Sequence, residues 1–231
     1  MKRCIFLILL TASIAAQTPP EVEITAEPHH HQVLVNDQVR AFYVDVAPHA
    51  DTLMHWHRHD YIYVTLGATH VVNAVKGKDP VTVNLNDGDT DLLHSGFAHL
   101  ARNVADTPFR NVTVELLQDE KLRHSTHHWD ANQGGDRGLQ ILHGGTQEIL
   151  WVKDAVRASE VELQMGASLP HDHAGPFLLV ALIDCELQSD TAKAPTTITL
   201  KTGDAHWLPA NTKALTNAAH TAAKFITLEF P

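Results

Sequence analysis

A long stretch of this chain recurs in the same order further along it, and that recurrence constrains the architecture more than any single motif. Asp37-Gln-Val39-Arg40-Ala41 matches Asp154-Ala-Val156-Arg157-Ala158 at an offset of 117. His55-Trp-His57 matches His171-Asp-His173 at 116, and Pro80, Thr82, Leu85, Gly88, Asp89 and Leu93 fall on Pro195, Thr197, Leu200, Gly203, Asp204 and Leu208 at 115. Thr113 and Glu115 fall on Thr227 and Glu229 at 114. An offset that drifts by one residue at three places, with the order kept, describes a duplicated unit that has lost single loop residues. The units run from 33 to 118 and from 149 to 231, with a linker over 119–148 that contains Gln133-Gly134-Gly135-Asp136-Arg137-Gly138.

Within each unit the pattern is strand after strand. Val39–Val46, Tyr61–Leu66, Val81–Leu85 and Val112–Leu116 are short, rich in β-branched and aromatic residues, and bounded by Gly, Pro, Asn and Asp. The second unit repeats this at Leu178–Leu182, Thr196–Leu200 and Phe225–Leu228. Many short strands in about 85 residues predict an all-β fold of two tandem antiparallel barrels or jelly rolls.

The first sixteen residues are expected to lie outside the fold. Met1-Lys2-Arg3 is a basic start, Cys4 to Leu10 is apolar, and Thr11 to Ala16 is small, which together predict a secretory signal cut near Ala15 or Ala16. The apolar run is too short to span a bilayer. Export to the periplasm or the exterior follows, and the mature chain keeps only Cys185, so no intramolecular disulfide is expected. Residues 17–32 read as an extended lead-in whose three consecutive histidines, His29, His30 and His31, form a solvated run.

Histidine is in excess, with 18 of 231 residues. Alternate residues of a strand share a face, so His55-x-His57 sets two imidazoles side by side, as a metal ion requires. His59 continues the alternation and Asp60 follows at once. A second element runs Gly88-Asp-Thr-Asp-Leu-Leu-His94-Ser-Gly96-Phe-Ala-His99-Leu-Ala-Arg-Asn103. These two elements resemble the motifs of the cupin superfamily. The first is His-x-His followed by an acidic residue and, seven positions on, a glycine, as Asp60 and Gly67 stand. The second is matched at Gly88, Gly96, His99 and Asn103, with His94 where the family has proline.

The resemblance extends over both units and implies two jelly-roll barrels, a bicupin. It implies that His55, His57 and His99 bind one divalent transition metal, with the acidic position falling on Asp60. Strand periodicity favours His59 for a further ligand, and the spacing to Gly67 favours Asp60. Imidazole-rich donors suit Fe, Mn, Ni, Cu or Zn. His94 is a candidate partner to the metal site or general base. In the second unit Ala214 is expected where His99 predicts a ligand, Pro176 replaces Asp60, and His171 and His173 remain as a trace, with His206 the one residue able to add a third donor.

A formal charge of −10 argues against a nucleic-acid partner and offers no attraction to an anionic membrane. Ile62, Val64 and Leu66 are expected to line the barrel, with Tyr61 and Tyr63 packing outward. Asn111-Val-Thr113 fits a weak glycosylation pattern. The expected function is that of an exported metalloenzyme, of dioxygenase type, acting on a small molecule in the first barrel, with homodimerisation common in such folds. The other reading is non-catalytic binding of a metal or small ligand.

Overall fold

The computed structural model describes residues 20–118, 138–171, 175–191 and 195–231. The expected signal at 1–16, most of the expected linker and His124, His127, His128 and His173 lie outside them. The fold is all-β, with one short 3-10 turn at Ile24–Ala26. Among the described residues no helix is long and apolar enough to cross a membrane.

The first half contains β1 (Val22–Glu23), β2 (His30–Val35), β3 (Val39–Val46), β4 (His55–His57), β5 (Tyr61–Thr65), β6 (Thr69–Val75), β7 (Val81–Leu85), β8 (Thr90–Leu93), β9 (Phe97–Asn103) and β10 (Phe109–Leu116). They form two facing sheets ordered β1-β4-β9-β6-β7 and β2-β3-β10-β5-β8. The second half contains β11 (Gly138–Leu142), β12 (Gly145–Lys153), β13 (Val156–Leu163), β14 (Ser168–Pro170), β15 (Phe177–Ala181), β16 (Cys185–Thr191), β17 (Thr196–Leu200), β18 (Ala205–Leu208), β19 (Thr212–Asn217) and β20 (Ala223–Glu229). Its sheets run β11-β12-β13-β20-β15-β18 and β14-β19-β16-β17. From β3 and β13 onward the two halves match strand for strand, as jelly rolls.

Two expectations about the edges are corrected. The lead-in over 17–32 contributes β1 and the start of β2 to the first barrel's two sheets. The part of the linker from 138 to 148 forms β11, a turn and the start of β12, joined to β13 through β12. The repeat therefore reaches further back than its sequence matches: His30 pairs with Val44, and Gln147 pairs with Val161, at the same offset of 117.

Repeated residues hold repeated structure. Asn103 donates through Nδ2 to the carbonyls of Val46, Ala47 and Thr107 and accepts from Ala105 N–H. Asn217 likewise donates to Leu163 and Thr221 and accepts from Ala219 N–H. Arg40 pairs with the buried Glu115, and Arg157 with the buried Glu229.

The two barrels share one apolar layer. Ile62, Val64, Val112 and Val114 of the first pack with Leu178, Val180, Ile226 and Leu228 of the second. The motif glycines sit reciprocally in this interface at positive φ, +80° for Gly88 and +88° for Gly203. A Cβ on Gly88 would lie 2.9 Å from Glu160 and 3.2 Å from Leu182, and one on Gly203 would lie 2.6 Å from Tyr43 and 2.9 Å from Leu66. Tyr43 and Glu160 are counterparts, as are Leu66 and Leu182, so the contact has an internal two-fold character. Trp151 Nε1 donates to the Thr90 carbonyl across it at 3.0 Å.

This arrangement corrects the expected orientation of β5. Ile62, Val64 and Leu66 face the second barrel, while Tyr61 and Tyr63 face the interior of the first. Both faces of this sheet are buried, so alternation alone cannot tell inside from outside. Asn111, at 5% exposure, is also internal and accepts from Thr113 Oγ1, which removes it as a glycosylation acceptor. Cys185 is buried and free, and burial pushes its thiol up to about 11, consistent with an inert residue.

Asn103→Ala leaves buried carbonyls without their donor and is expected to cost at least about 2 kcal/mol, read from denaturant unfolding. Asn217→Ala is expected to cost a similar amount, because the same turn is clamped in the same way.

Candidate metal centre

Strand pairing assembles the site. β4 and β9 run antiparallel with His55 directly opposite His99, and His57 lies two residues along on the same face. His55 and His57 are each 1% exposed. Their Nε2 atoms converge on that of His99, at 3.1 Å from His55 and 3.0 Å from His57.

Two of the three tautomers are set by outward hydrogen bonds. His55 Nδ1 donates to the Leu53 carbonyl at 2.8 Å and His99 Nδ1 to Asn73 Oδ1 at 2.7 Å. A neutral imidazole with its proton on Nδ1 presents a lone pair at Nε2. Nitrogens each about 2.0–2.1 Å from one shared ion stand roughly 3 Å apart, so these donors fit a divalent transition metal in spacing and in chemistry. The carbonyl and amide oxygens that hold the two rings are the outer partners such ligands usually have. His57 Nδ1 is buried with no partner among the described residues.

The electrostatics favour neutral rings. Burial lowers His55, with His30 adding to the effect, to about 4. Burial, then His55 and His30, lowers His99 to about 3. His57 is pushed down further, by burial and by its imidazole neighbours. A metal ligand must be deprotonated, so a set kept neutral well below pH 7 is ready to bind.

The other expected site residues are elsewhere. Asp60 leaves the strand after β4 and accepts Ser95 N–H at 2.8 Å. Its carboxylate lies 3.6 Å from His94 Nδ1, which is 3.9 Å from Asp154 of the second half. Asp60, His94 and Asp154 thus form a separate group at the junction of the halves, and His94, with 73% of its side chain exposed, is no neighbour of the histidine triad. His59 joins neither group. The physical reason is that the strand ends at His57, so the alternation that aligns His55 and His57 does not continue to His59.

Sequence reasoning missed two contributions, one from His30 with its partner Glu27 and one from Tyr61. The His30 ring lies 4.6 Å from that of His55 and lines the same cavity, so one member of the expected solvated run is internal. Glu27, 2% exposed, accepts from His30 Nδ1 at 2.6 Å and from the N–H groups of His29 and Leu53. Burial pushes Glu27 up, but those bonds outweigh it and bring the carboxyl down to about 2. Tyr61 is the other, its ring stacked on His57 at 3.8 Å. The sequence carried no signal for these contacts, because the repeat extends back to His30 only through strand pairing and not through matched residues.

The second barrel has no such centre among the described residues. Its interior is filled by Phe177, Leu179, Leu187, Ile198, Leu215 and Phe225. His171 remains, with Nδ1 donating to the Thr212 carbonyl, and His206 is half-buried on β18. The strand register breaks at the counterpart of His99. Asn73 pairs with Ala101 and Ser189 with Leu215, but where Val75 then pairs with His99, a bulge after Asp190 pairs Thr191 with the buried Thr212, so the ligand position falls on Thr212 rather than Ala214.

The fold is thus a jelly roll in which three histidines on two paired strands of one sheet converge on a point that could hold a metal ion. The sequence profile of the Cupin family matches residues 21–142, more than half of the chain, and the chain belongs to that family. No curated protein matches it significantly. Among solved structures it is similar to the formate complex of oxalate decarboxylase from Lactobacillus farciminis, with a TM-score of 0.61 at 14% identity over 84% of this chain and 77% of that one. Oxalate decarboxylase from Bacillus subtilis at pH 4.6 gives 0.59 at 10% identity, over 84% and 68%. A conserved barrel domain protein from Leptotrichia buccalis gives 0.50 at 15%, over 87% and 88%. At these identities the likeness shows the fold.

Asn73→Ala is expected to weaken metal binding about 10–100-fold, measured by competition with a chelator. The metal-free chain is expected to lose stability as pH falls from about 6.5 towards 4. His55 and His99 take up protons in the unfolded chain over that range and stay neutral in the folded one. Glu27 adds to the loss below its ordinary value of 4.5. Thermal midpoints across that pH range test this, and His99→Ala should flatten the profile.

Proposed function

We propose that this chain is an exported bicupin whose first barrel carries one divalent transition metal, Fe, Mn, Ni, Cu or Zn, on His55, His57 and His99. We infer an enzymatic role, of dioxygenase-type oxidoreductase chemistry on a small organic molecule. Residues 1–16 are read as its secretory signal, with barrels over 33–118 and 149–231. The single observation that carries the metal reading is the convergence of the Nε2 atoms of the buried His55 and His57 on that of His99, at 3.1 and 3.0 Å, with two of the ring protons tied outward.

When bound, such an ion supplies Lewis acidity and, if redox-active, electrons for reaction with O2. The chain's own residues do the rest. Leu53 and Asn73 hold two rings in the donating tautomer, Tyr61 packs on His57, and the apolar wall excludes water. Glu27 anchors His30 at the cavity edge by a charge-assisted bond, so that an imidazole stands beside the bound molecule.

Purified protein is expected to hold about one transition-metal ion per chain, and His99→Ala to lose affinity by more than about a hundredfold, beyond the cost of removing an outer partner. Oxygen uptake with phenolic and diketone substrates is expected in the metal-loaded wild type and not in His99→Ala. Stoichiometric metal with no substrate consumed would make the barrel a binding module instead. No metal bound, and none gained on incubation with Fe, Mn, Ni, Cu or Zn, would refute both readings.

A further inference from the structure

The cavity behind the three histidines has a composition that selects among small molecules. It measures about 230 Å³. Its hydrocarbon wall comes from Val44, Val71, Val83, Leu85, Leu93 and Phe109. Its polar lining beside the histidines is Thr52, Tyr61, Tyr63, Asn73, Asn111 and Thr113. No Arg, Lys, Asp or Glu lines it among the described residues. Nearby cations are committed elsewhere, Arg40 to Glu115 and Arg110 to Asp45.

Charge and size then decide what fits. A carboxylate carried away from the metal would be buried against valine, leucine and phenylalanine with no cation to meet it, which is strongly unfavourable. A hydrocarbon body gains by leaving water for the same wall. An apolar cavity of roughly 150 Å³ already takes benzene, and pockets for drug-sized ligands begin near 300 Å³. The occupant is therefore a single ring or a short branched chain. The amide oxygens of Asn73 and Asn111 are spent on His99 and Thr113. The three imidazoles bring no negative charge to a divalent ion, so an acidic oxygen on the occupant is stabilised at that end.

We propose that the cavity takes a single-ring or short branched molecule with a hydrocarbon body and one weakly acidic oxygen, a phenol or an enolisable ketone, and discriminates against dicarboxylates whose second carboxylate would lie away from the metal. The oxygen end of the proposal rests on the metal reading above, and the body rests on the cavity alone.

The test is calorimetric titration of phenol, 4-methylphenol, 4-ethylphenol and glutarate, whose second carboxylate would reach the wall, into metal-free and Zn(II)-loaded protein at pH 7, with metal content measured on the same samples. Each added carbon on the phenol should tighten binding about fourfold. Glutarate should bind the loaded protein at least tenfold more weakly than 4-methylphenol. Leu93→Phe, at a partly exposed lining position, should weaken 4-ethylphenol at least tenfold while metal content holds. Affinity that is flat along the alkyl series in both forms, glutarate binding as tightly as phenol, or a folded Leu93→Phe that binds 4-ethylphenol like the wild type would each overturn the proposal. Should that variant fail to fold, the wild-type series still decides. A protein that takes no metal but keeps the alkyl trend would refute the metal reading and support the cavity preference.

Discussion

The apolar layer shared by the two barrels is the constraint on which the rest of this structure depends. Each barrel presents one sheet to the other, and the alternate residues of those sheets meet in a single core that neither half could bury alone. The reciprocal fit of Gly88 against Glu160 and Leu182, and of Gly203 against Tyr43 and Leu66, requires backbone with no Cβ at both positions. Once Ile62 and Val64 are committed to that layer, period two leaves Tyr61 and Tyr63 no option but the barrel interior. Asn111 and Thr113 on the neighbouring strand follow for the same reason.

The duplicated barrels keep one frame and differ in what fills it. The turn-clamping asparagines, the buried Arg–Glu pairs and the motif glycines occur in both, and each acts on backbone or on the packing of strands. The interiors diverge. Phe177 and Leu179 stand where the first barrel has Tyr61 and Tyr63, and Leu215 stands where it has Ala101. Among the described residues leucine and phenylalanine fill the second barrel's interior, whereas the first barrel leaves a cavity beside three imidazoles. Among those residues, confinement of the histidine centre to one barrel is thus largely a matter of side-chain volume and polarity within a shared strand order.

The first barrel's centre also depends on chain that precedes its repeat. The lead-in strand brings Glu27 and His30 against His55, with the carboxylate satisfied by three N–H groups in a buried position. Such a group is costly unless fully bonded, which ties the ordering of the lead-in to the integrity of the site.

Much of this was legible from residue order. Period-two alternation, turn residues and the drifting repeat determined an all-β duplicated architecture; two-residue spacing on a strand, a local rule, marked His55 and His57, and resemblance to a family motif marked His99. What only the tertiary structure decided was which face of a doubly buried sheet points inward, that Asp60 and His94 turn towards Asp154 rather than the triad, and that His30 reaches the cavity. Alternation is symmetric between the two faces of a strand and stops where the strand stops at His57. Only the packing of one barrel on the other, and of the lead-in on the first, breaks that symmetry.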